Sequence, residues 1–168
     1  MKKLLLSAAT VAVLYAPSVK AETSQQEFAA ISKIASLCQT FKGIGLNVAV
    51  VYSNASAKSV KDKDSVVGFA KSSNLNVTAL DISKVSSASA NVVVLADGLS
   101  ATDFAKVKSA FAGKAVITAS TDLSCVESGK CMLGVDVGSV VKLLVDSKSY
   151  SSSGLRFDPA FEFMVKQI

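Results

Sequence analysis

The sequence predicts an α/β fold, a three-layer αβα sandwich with a mostly parallel sheet and a C-terminal antiparallel hairpin. Short β-branched runs alternate with amphipathic segments, which is typical of parallel strands joined by right-handed crossovers. The first, third and fourth runs are continuously apolar, as strands covered on both faces must be. The four runs occupy residues 46–52, 75–82, 91–96 and 114–119.

The segments around these runs predict helices. Residues 23–41 carry apolar side chains at three- and four-residue steps, so they predict an amphipathic helix that packs on the sheet. Its apolar stripe consists of Phe28, Ile31, Ile34, Ala35, Cys38 and Phe41. Residues 56–72 and 101–112 have a similar periodicity and predict crossover helices. The link at residues 83–90 is long enough for one helical turn at most.

The pattern changes after the fourth run. Residues 132–137 and 139–146 are strand-like and are separated only by Gly138, which predicts the antiparallel hairpin. Residues 147–153 predict a short helix with Asp146 as its N-cap and Gly154 at its end.

A closing helix is predicted from Asp158 as N-cap and Pro159 in the first helical position. Phe161, Met164, Val165 and Ile168 follow at i, i+3, i+4 and i+7 and are expected in the core. Deletion of this helix is therefore expected to unfold the domain.

The first 21 residues have the features of a cleaved secretory signal peptide. Lys2 and Lys3 precede an uncharged run, and a small-x-small pattern ends at Ala21. The apolar core is about a dozen residues long, whereas a membrane span takes roughly 20, so a retained anchor is the weaker alternative. We expect cleavage after Ala21, a single domain over residues 22–168, a periplasmic location and no membrane insertion of the mature chain.

The charge of the mature chain gives little reason to propose a nucleic-acid partner. The full sequence has a net charge of +5, and removal of Lys2, Lys3 and Lys20 lowers it to +2. The local charge cluster at residues 58–64 alternates in sign. We interpret this cluster as a solvated helix face.

Two of the three cysteines, Cys125 and Cys131, lie close together around a Gly-Lys turn. A zinc site needs about four ligands, but the chain contains no histidine, so no metal site is expected. A redox-catalytic pair is more often CxxC at a helix start, which five intervening residues in a hairpin-like loop do not match. The remaining interpretation is a structural disulfide, which the chain-entropy model values at about 2 kcal/mol for so small a ring.

The third cysteine, Cys38, lies in the apolar stripe of the opening helix. It can be interpreted as a small buried hydrophobic side chain. The alternative is a thiol available for an intermolecular bridge.

The absence of histidine excludes Ser-His-Asp and Cys-His relays, and no phosphate-binding motif is present. A carboxylate pair could assemble from Asp81, Asp97 and Asp122, although such residues more often cap helices or shape turns.

Ligands of open α/β sheets bind at the carboxyl ends of the strands, and polar residues follow three of the runs there. The candidate ligand-binding residues are Ser53, Asn54, Asp97, Ser100, Ser120 and Thr121. No cofactor is expected.

Residues 114–168 resemble the YfiR-like family of small exported bacterial proteins. In that family a strand like AVITAS is followed by a loop that often carries cysteines, a hairpin, a short helix ending in Gly, and a closing helix after a Phe-x-x-x-Phe/Leu pattern. The matching residues are Cys125, Cys131, Gly154, Phe157 and Phe161. Cys38 has no counterpart in this pattern.

The resemblance implies a non-catalytic periplasmic regulator. Members of the family bind the periplasmic sensor domain of an inner-membrane diguanylate cyclase, restrain cyclic-di-GMP output and biofilm formation, and form homodimers with a disulfide, here Cys125–Cys131. This hypothesis predicts an exposed apolar patch near the cysteines or the hairpin. The alternative is a small periplasmic solute-binding domain that uses the polar groups at the strand ends. An enzyme that uses Asp and Ser without His is the third hypothesis.

Overall fold

The computed structural model describes residues 22–168, and the predicted signal peptide at residues 1–21 lies outside the described residues. The strands are β1 Asn47–Tyr52, β2 Asn76–Asp81, β3 Val92–Leu95, β4 Ile117–Ser120, β5 Leu133–Val137, β6 Val141–Val145 and β7 Lys166–Gln167. The α-helices are α1 Gln25–Ser36, α2 Ala57–Ser72, α3 Ala101–Phe111, α4 Leu123–Glu127, α5 Ser147–Ser153 and α6 Pro159–Met164. Two 3-10 helices span Gln39–Phe41 and Ile82–Ser87.

The seven strands form one sheet in the order β2-β1-β3-β4-β5-β6-β7. All neighbouring pairs are parallel except β5 and β6, which form the antiparallel hairpin. The predicted three-layer sandwich, its mostly parallel sheet and its C-terminal hairpin are therefore confirmed. The second predicted strand lies at the edge of the sheet, which explains why its sequence is less apolar than that of the central strands.

Side chains of the central strands alternate between two hydrophobic cores, one on each face of the sheet. Val48 and Val50 of β1 pack with α1, α2 and α6, whereas Ala49 and Val51 pack with α3, α4 and the second 3-10 helix. The whole predicted stripe of the opening segment is buried in the first of these cores. Continuous apolar strands are needed because both faces are covered.

The closing helix is shorter than predicted. It ends at Met164, and Lys166–Gln167 pair with β6 instead of continuing the helix. Phe161 is fully buried and Val165 is partly buried against the same core, but Met164 and Ile168 are each 43% exposed, so the predicted four-residue core stripe is wrong at Met164 and Ile168. The physical reason is the open edge of β6: the Ile168 N–H donates to the Val145 carbonyl at 2.9 Å, which the helical pattern cannot anticipate.

The cysteine segment also differs from the prediction. Cys125 lies in helix α4, and Asp122 caps that helix by accepting a hydrogen bond from the Ser124 N–H at 3.0 Å. The expected hairpin-like loop is wrong for this part of the segment. Helix α4 can approach β5 closely because β5 has a glycine, Gly134, beneath it: a Cβ atom there would lie 2.5 Å from Cγ1 of Val126.

We predict that Gly134→Ala lowers the free energy of unfolding by about 2 kcal/mol, because overpacking a filled core forces side chains and backbone to shift. Gly68→Ala is the matched control, since a Cβ there meets nothing within 4 Å and α2 should gain about 0.5–1 kcal/mol in helix stability. Urea unfolding of both variants measures the difference. Equal stability of the two variants would contradict the close approach of α4 to β5.

The described helices include none that is both long and apolar enough to cross a membrane.

Candidate functional site

A cleft lies at the carboxyl edge of the sheet, where the chain changes direction. From β1 the chain crosses to β2 on one side, and it then returns to β3 on the other side of β1. The loops that follow β1 and β3 therefore diverge to opposite faces of the sheet. Such a switch point creates a crevice outside the strand ends, and it is where ligands bind in open α/β sheets.

The cleft has a volume of about 570 Å³. Its walls come from the loop after β1, the end of β2, and the segment from the β3–α3 loop into α3. The lining residues are Ser53, Asn54, Ala55, Ser56, Asp81, Ile82, Gly98, Ser100, Asp103 and Lys106. Most of them offer hydroxyl, amide or charged groups, so the cleft suits a small polar molecule.

The loop after β1 is fixed by hydrogen bonds from both sides. The Ser53 N–H donates to the Ser59 hydroxyl at 3.1 Å, and the Asn54 N–H donates to the Asp81 carboxylate at 3.1 Å. Ser56 caps helix α2 by accepting a hydrogen bond from the Ser59 N–H at 3.2 Å. The exposed Asn54 side chain is therefore held over the cleft by a rigid backbone.

The loop after β3 approaches the start of α2 closely, and Gly98 makes this approach possible. Gly98 has φ of +81°, and a Cβ there would lie 2.9 Å from the Ser56 hydroxyl and 3.1 Å from the Ser59 nitrogen. Only glycine combines this backbone conformation with the absence of a side chain. The two walls of the cleft are thus brought together at Gly98.

Two carboxylates give the cleft a negative charge. Hydrogen bonds from the Ser83 hydroxyl and N–H, and from the Asn54 N–H, lower the pKa of Asp81. Partial burial of Asp103 acts to raise its pKa, but hydrogen bonds from Ser100 and the nearby Lys106 outweigh it and lower the pKa. Both carboxylates are therefore ionised at neutral pH, and the Lys106 ammonium lies 3.5 Å from Asp103.

A buried network anchors the loop after β3, which forms one wall of the cleft. Asp62 of α2 is fully buried and accepts hydrogen bonds from the Thr23 N–H at 2.5 Å, the Thr23 hydroxyl at 3.0 Å and the Asp97 N–H at 2.7 Å. Burial is the main cause that raises the pKa of Asp62, and the charge of Asp97 adds to it. The Asp97 carboxylate is itself balanced by Lys58, whose Nζ lies 2.7 Å from Oδ2.

The interpretation of residues 58–64 as a solvated helix face is wrong at Asp62. The buried residues of α2 are Ser59, Asp62, Val66 and Ala70, which fall on one stripe at three- and four-residue steps. That spacing was present in the sequence, but a carboxylate within an alternating charge cluster favoured the solvated interpretation. Asp62 is buried because backbone groups distant in sequence supply its donors.

The structure brings together some of the predicted ligand-binding residues and separates others. Ser53, Asn54 and Ser100 line the cleft, whereas Asp97 lies beside it in the ion pair with Lys58. Ser120 and Thr121 are each only 1% exposed and do not line it. Their hydroxyls serve the fold: Ser120 accepts from the Asp122 N–H, and Thr121 lies 3.2 Å from the Thr23 hydroxyl.

Sequence reasoning missed the cleft residues Ser56, Asp103 and Lys106. A signal for one of them, Asp103, exists in the pattern Ser100-x-x-Asp103, a capping box in which each side chain accepts from the other residue's N–H. Lys106 follows one turn later on the same face of α3. These residues become visible as a group only when the fold places the loop after β3 against the start of α2.

The three carboxylates considered for catalysis do not form a pair. Asp81 caps the second 3-10 helix, Asp97 is bound to Lys58, and Asp122 caps α4. Within residues 22–168, no group of three or more His, Cys, Asp or Glu side chains is arranged to hold a metal ion.

The three cysteines are buried thiols in this structure. Cys125 and Cys131 are neighbours, because the Cys125 carbonyl accepts a hydrogen bond from the Cys131 N–H at 3.3 Å. Burial raises the pKa of the Cys131 thiol, and the contact with Cys125 raises it further. Cys38 is 1% exposed, which favours the interpretation of a packed core side chain over an intermolecular bridge.

The Cys125–Cys131 disulfide stays a prediction. In protein isolated from an oxidising compartment and denatured without reductant, we expect alkylation of one thiol, Cys38, and of three thiols after reduction. Reduction should lower the free energy of unfolding by about 2 kcal/mol. Mass spectrometry counts the alkylated sites, and a Cys38→Ser variant, with none expected before reduction, is the control. Three alkylated thiols without reductant would refute the bridge.

The fold and the position of the cleft define a three-layer α/β domain with a crevice at its switch point. Among solved structures, this chain is similar to an ABC domain in complex with L-Trp from Streptococcus pneumoniae, with a TM-score of 0.63 and 14% sequence identity. It is also similar to a conserved domain protein from Vibrio cholerae, with a TM-score of 0.62 and 16% identity. In each case the match covers 85% of this chain and 59% of the other. No protein-family model matches the chain, and no curated protein matches it.

Proposed function

We propose that this protein is a small-solute-binding domain that holds a small polar molecule in the switch-point cleft. The observation that carries the proposal is the 570 Å³ cleft itself, placed where the loops after β1 and β3 diverge. Its charged and hydroxyl groups are held by caps and ion pairs before any ligand arrives. Preorganised groups of this kind lower the ordering cost of binding.

The charges of the cleft suggest the class of solute. The ionised carboxylates of Asp81 and Asp103 favour a group such as an ammonium, while Lys106 offers a partner for a carboxylate. One similar solved structure is a domain in complex with L-Trp, although at 14% identity the likeness shows the fold alone. Amino acids are therefore the first solutes to test on this chain.

The test is isothermal titration of the purified protein with L-Trp and the other amino acids, supported by thermal unfolding. A solute that binds only the folded state raises the melting temperature by mass action.

We predict that Asn54→Ala weakens binding about tenfold, equal to about 1.4 kcal/mol, and changes the free energy of unfolding by less than about 0.5 kcal/mol. Gln26→Ala, exposed on α1, is the control. Binding that is unaffected by Asn54→Ala would move the site elsewhere.

A second candidate function is a non-catalytic periplasmic regulator that restrains a membrane-bound diguanylate cyclase by binding its periplasmic sensor domain. An exposed apolar surface on the hairpin and the chain end favours it. This hairpin-end surface consists of Val140, Val141, Phe163, Met164 and Ile168, with exposures from 43% to 91%. Surfaces of this kind typically mark protein interactions.

The regulator hypothesis is tested with the purified sensor domain of such a cyclase in a binding assay. Phe163→Asp, at the most exposed residue of the hairpin-end surface, should abolish binding. Ile44→Asp is the control, because Ile44 is 65% exposed in the loop before β1. An equal loss in both variants, or binding that survives Phe163→Asp, would contradict the use of this surface.

A further inference from the structure

A second cavity lies near the opposite end of the sheet from the cleft. It has a volume of about 260 Å³ and is bounded by the C-terminal end of α3, the loop before β5, and α5. The loop residues Lys114 and Lys130 precede β4 and β5, so this cavity opens toward the amino ends of these strands, whereas the cleft lies at the carboxyl ends of β1, β2 and β3. The two sites share no lining residue and can be tested independently.

Three lysines from different segments converge on this cavity. Lys108 comes from the last turn of α3, Lys114 from the loop after α3, and Lys130 from the loop between α4 and β5. None of the three ammonium groups forms an ion pair with a residue in the part of the chain that the structure describes. No Asp or Glu lines the cavity. The charge of the cavity lining is therefore positive, although residues 22–168 as a whole carry a net charge of only +2.

Helix electrostatics explains only part of this convergence. A lysine in the last turn of α3 is stabilised by the helix dipole, and this accounts for Lys108. Lys130 follows a different helix, and the α3 dipole falls off within its last turn. The charges of Asp122 and Asp146 reach the Cys131 thiol in the cavity lining, but neither carboxylate forms an ion pair with these lysines. The lysines thus have no ion-pair partner among the described residues.

The inner wall of the cavity is apolar. It includes Phe111, which is 7% exposed, together with Val116 and Met132, and the Lys114 ammonium lies 5.5 Å from the centre of the Phe111 ring. A cavity of about 150 Å³ is enough to hold benzene in a protein core. The volume found here therefore accommodates a compact apolar body, with a charged group at the lysines.

We infer that this cavity binds a small organic anion: a carboxylate whose apolar body packs on Phe111, Val116 and Met132 while its charge meets the lysines. A carboxylate accepts charge-assisted hydrogen bonds from ammonium groups, which are stronger than bonds between neutral groups. A positively charged rim alone would bind inorganic anions as well. The apolar wall is what makes the site selective for an organic one.

The test is a titration of the ¹⁵N-labelled protein with benzoate, its neutral analogue benzamide, and inorganic phosphate. Benzoate should give saturable amide shifts at Gly113, Lys114 and Cys131, and benzamide and phosphate should bind at least about tenfold more weakly, equal to about 1.4 kcal/mol. Raising the salt concentration should weaken benzoate binding by screening. Shifts confined to Asn54 and Gly98 would instead report the cleft and would overturn the inference.

Charge variants separate specific binding from general attraction. Lys130→Gln should weaken benzoate binding about tenfold, whereas Lys33→Gln, exposed on α1, should leave it unchanged. Melting temperatures check that both variants fold. The inference fails if benzoate does not saturate the wild-type protein, if benzamide or phosphate binds as tightly as benzoate, or if Lys130→Gln and Lys33→Gln bind benzoate equally.

Discussion

Phe161→Ala is expected to lower the free energy of unfolding by about 4 kcal/mol, the typical cost of replacing a buried phenylalanine in a packed core. Phe161 is fully buried in α6. Its ring stacks on Phe157 with centroids 4.0 Å apart and meets Tyr150 edge-on at 5.8 Å. The change therefore removes one of the three rings of an aromatic cluster formed by Tyr150, Phe157 and Phe161. Urea unfolding at constant pH measures the effect.

Phe163→Ala is the matched control. Phe163 lies two residues further along the same helix but is 91% exposed, so its replacement should change stability by less than about 0.5 kcal/mol. A cost at Phe163 similar to that at Phe161 would show that the closing helix faces the core differently from the structure. The pair also tests the correction to the predicted core stripe.

Asp62→Ala is expected to destabilise the protein by about 3 kcal/mol. The substitution leaves the N–H groups of Thr23 and Asp97 and the Thr23 hydroxyl without their acceptor in a buried setting, and each unsatisfied group costs about 1–3 kcal/mol. The substitution also removes the unfavourable free energy of burying a carboxylate, and this offsets part of the cost. Thermal and urea unfolding both measure it.

Asp64→Ala serves as the control on the same helix. The Asp64 side chain is 68% exposed and contacts Lys63 at the surface, so its loss should be nearly neutral. If Asp62→Ala were as mild as Asp64→Ala, residues 58–64 would form a solvated face after all. The loop after β3 would then lack its anchor at the Asp97 N–H.

The pH dependence of stability gives an independent measure of Asp62. Its pKa is raised in the folded state, so the folded protein binds more protons than the unfolded chain between the two pKa values. The contribution of Asp62 to stability is therefore fully present below the ordinary pKa of aspartate and is lost as pH rises through the raised pKa. The free energy of unfolding of the wild type minus that of Asp62→Asn should therefore fall as pH rises through that window. A rise of this quantity with pH would mean that the pKa is lowered instead.

Local patterns predicted the elements whose stability is decided locally. Helix α5 begins after Asp146 and ends at Gly154, as expected. The reason is that an N-cap side chain and a left-handed glycine act within a few residues of the chain. The stripe from Phe28 to Phe41 predicted burial, since helical periodicity maps directly onto one face. The same logic failed at Met164 and Ile168, where an unpaired strand edge competes with the helix.

The candidate site was predictable only in outline. Polar residues after the strands indicated the carboxyl edge, and Ser53, Asn54 and Ser100 do line the cleft there. Ser120 and Thr121 follow a strand in the same way, but their hydroxyls are used by the fold. Which strand ends enclose a crevice depends on the order of the strands in the sheet, and that order is not written in any one segment.

The sequence by itself determined the sandwich, its parallel strands and its C-terminal hairpin, because apolar periodicity and caps report which faces must be covered. The tertiary structure alone decided the burial of Asp62, the end of the last helix and the meeting of Lys108, Lys114 and Lys130 at one cavity. These features depend on groups far apart in the chain, whose hydrogen bonds and charges interact only after the strands have been ordered into a sheet.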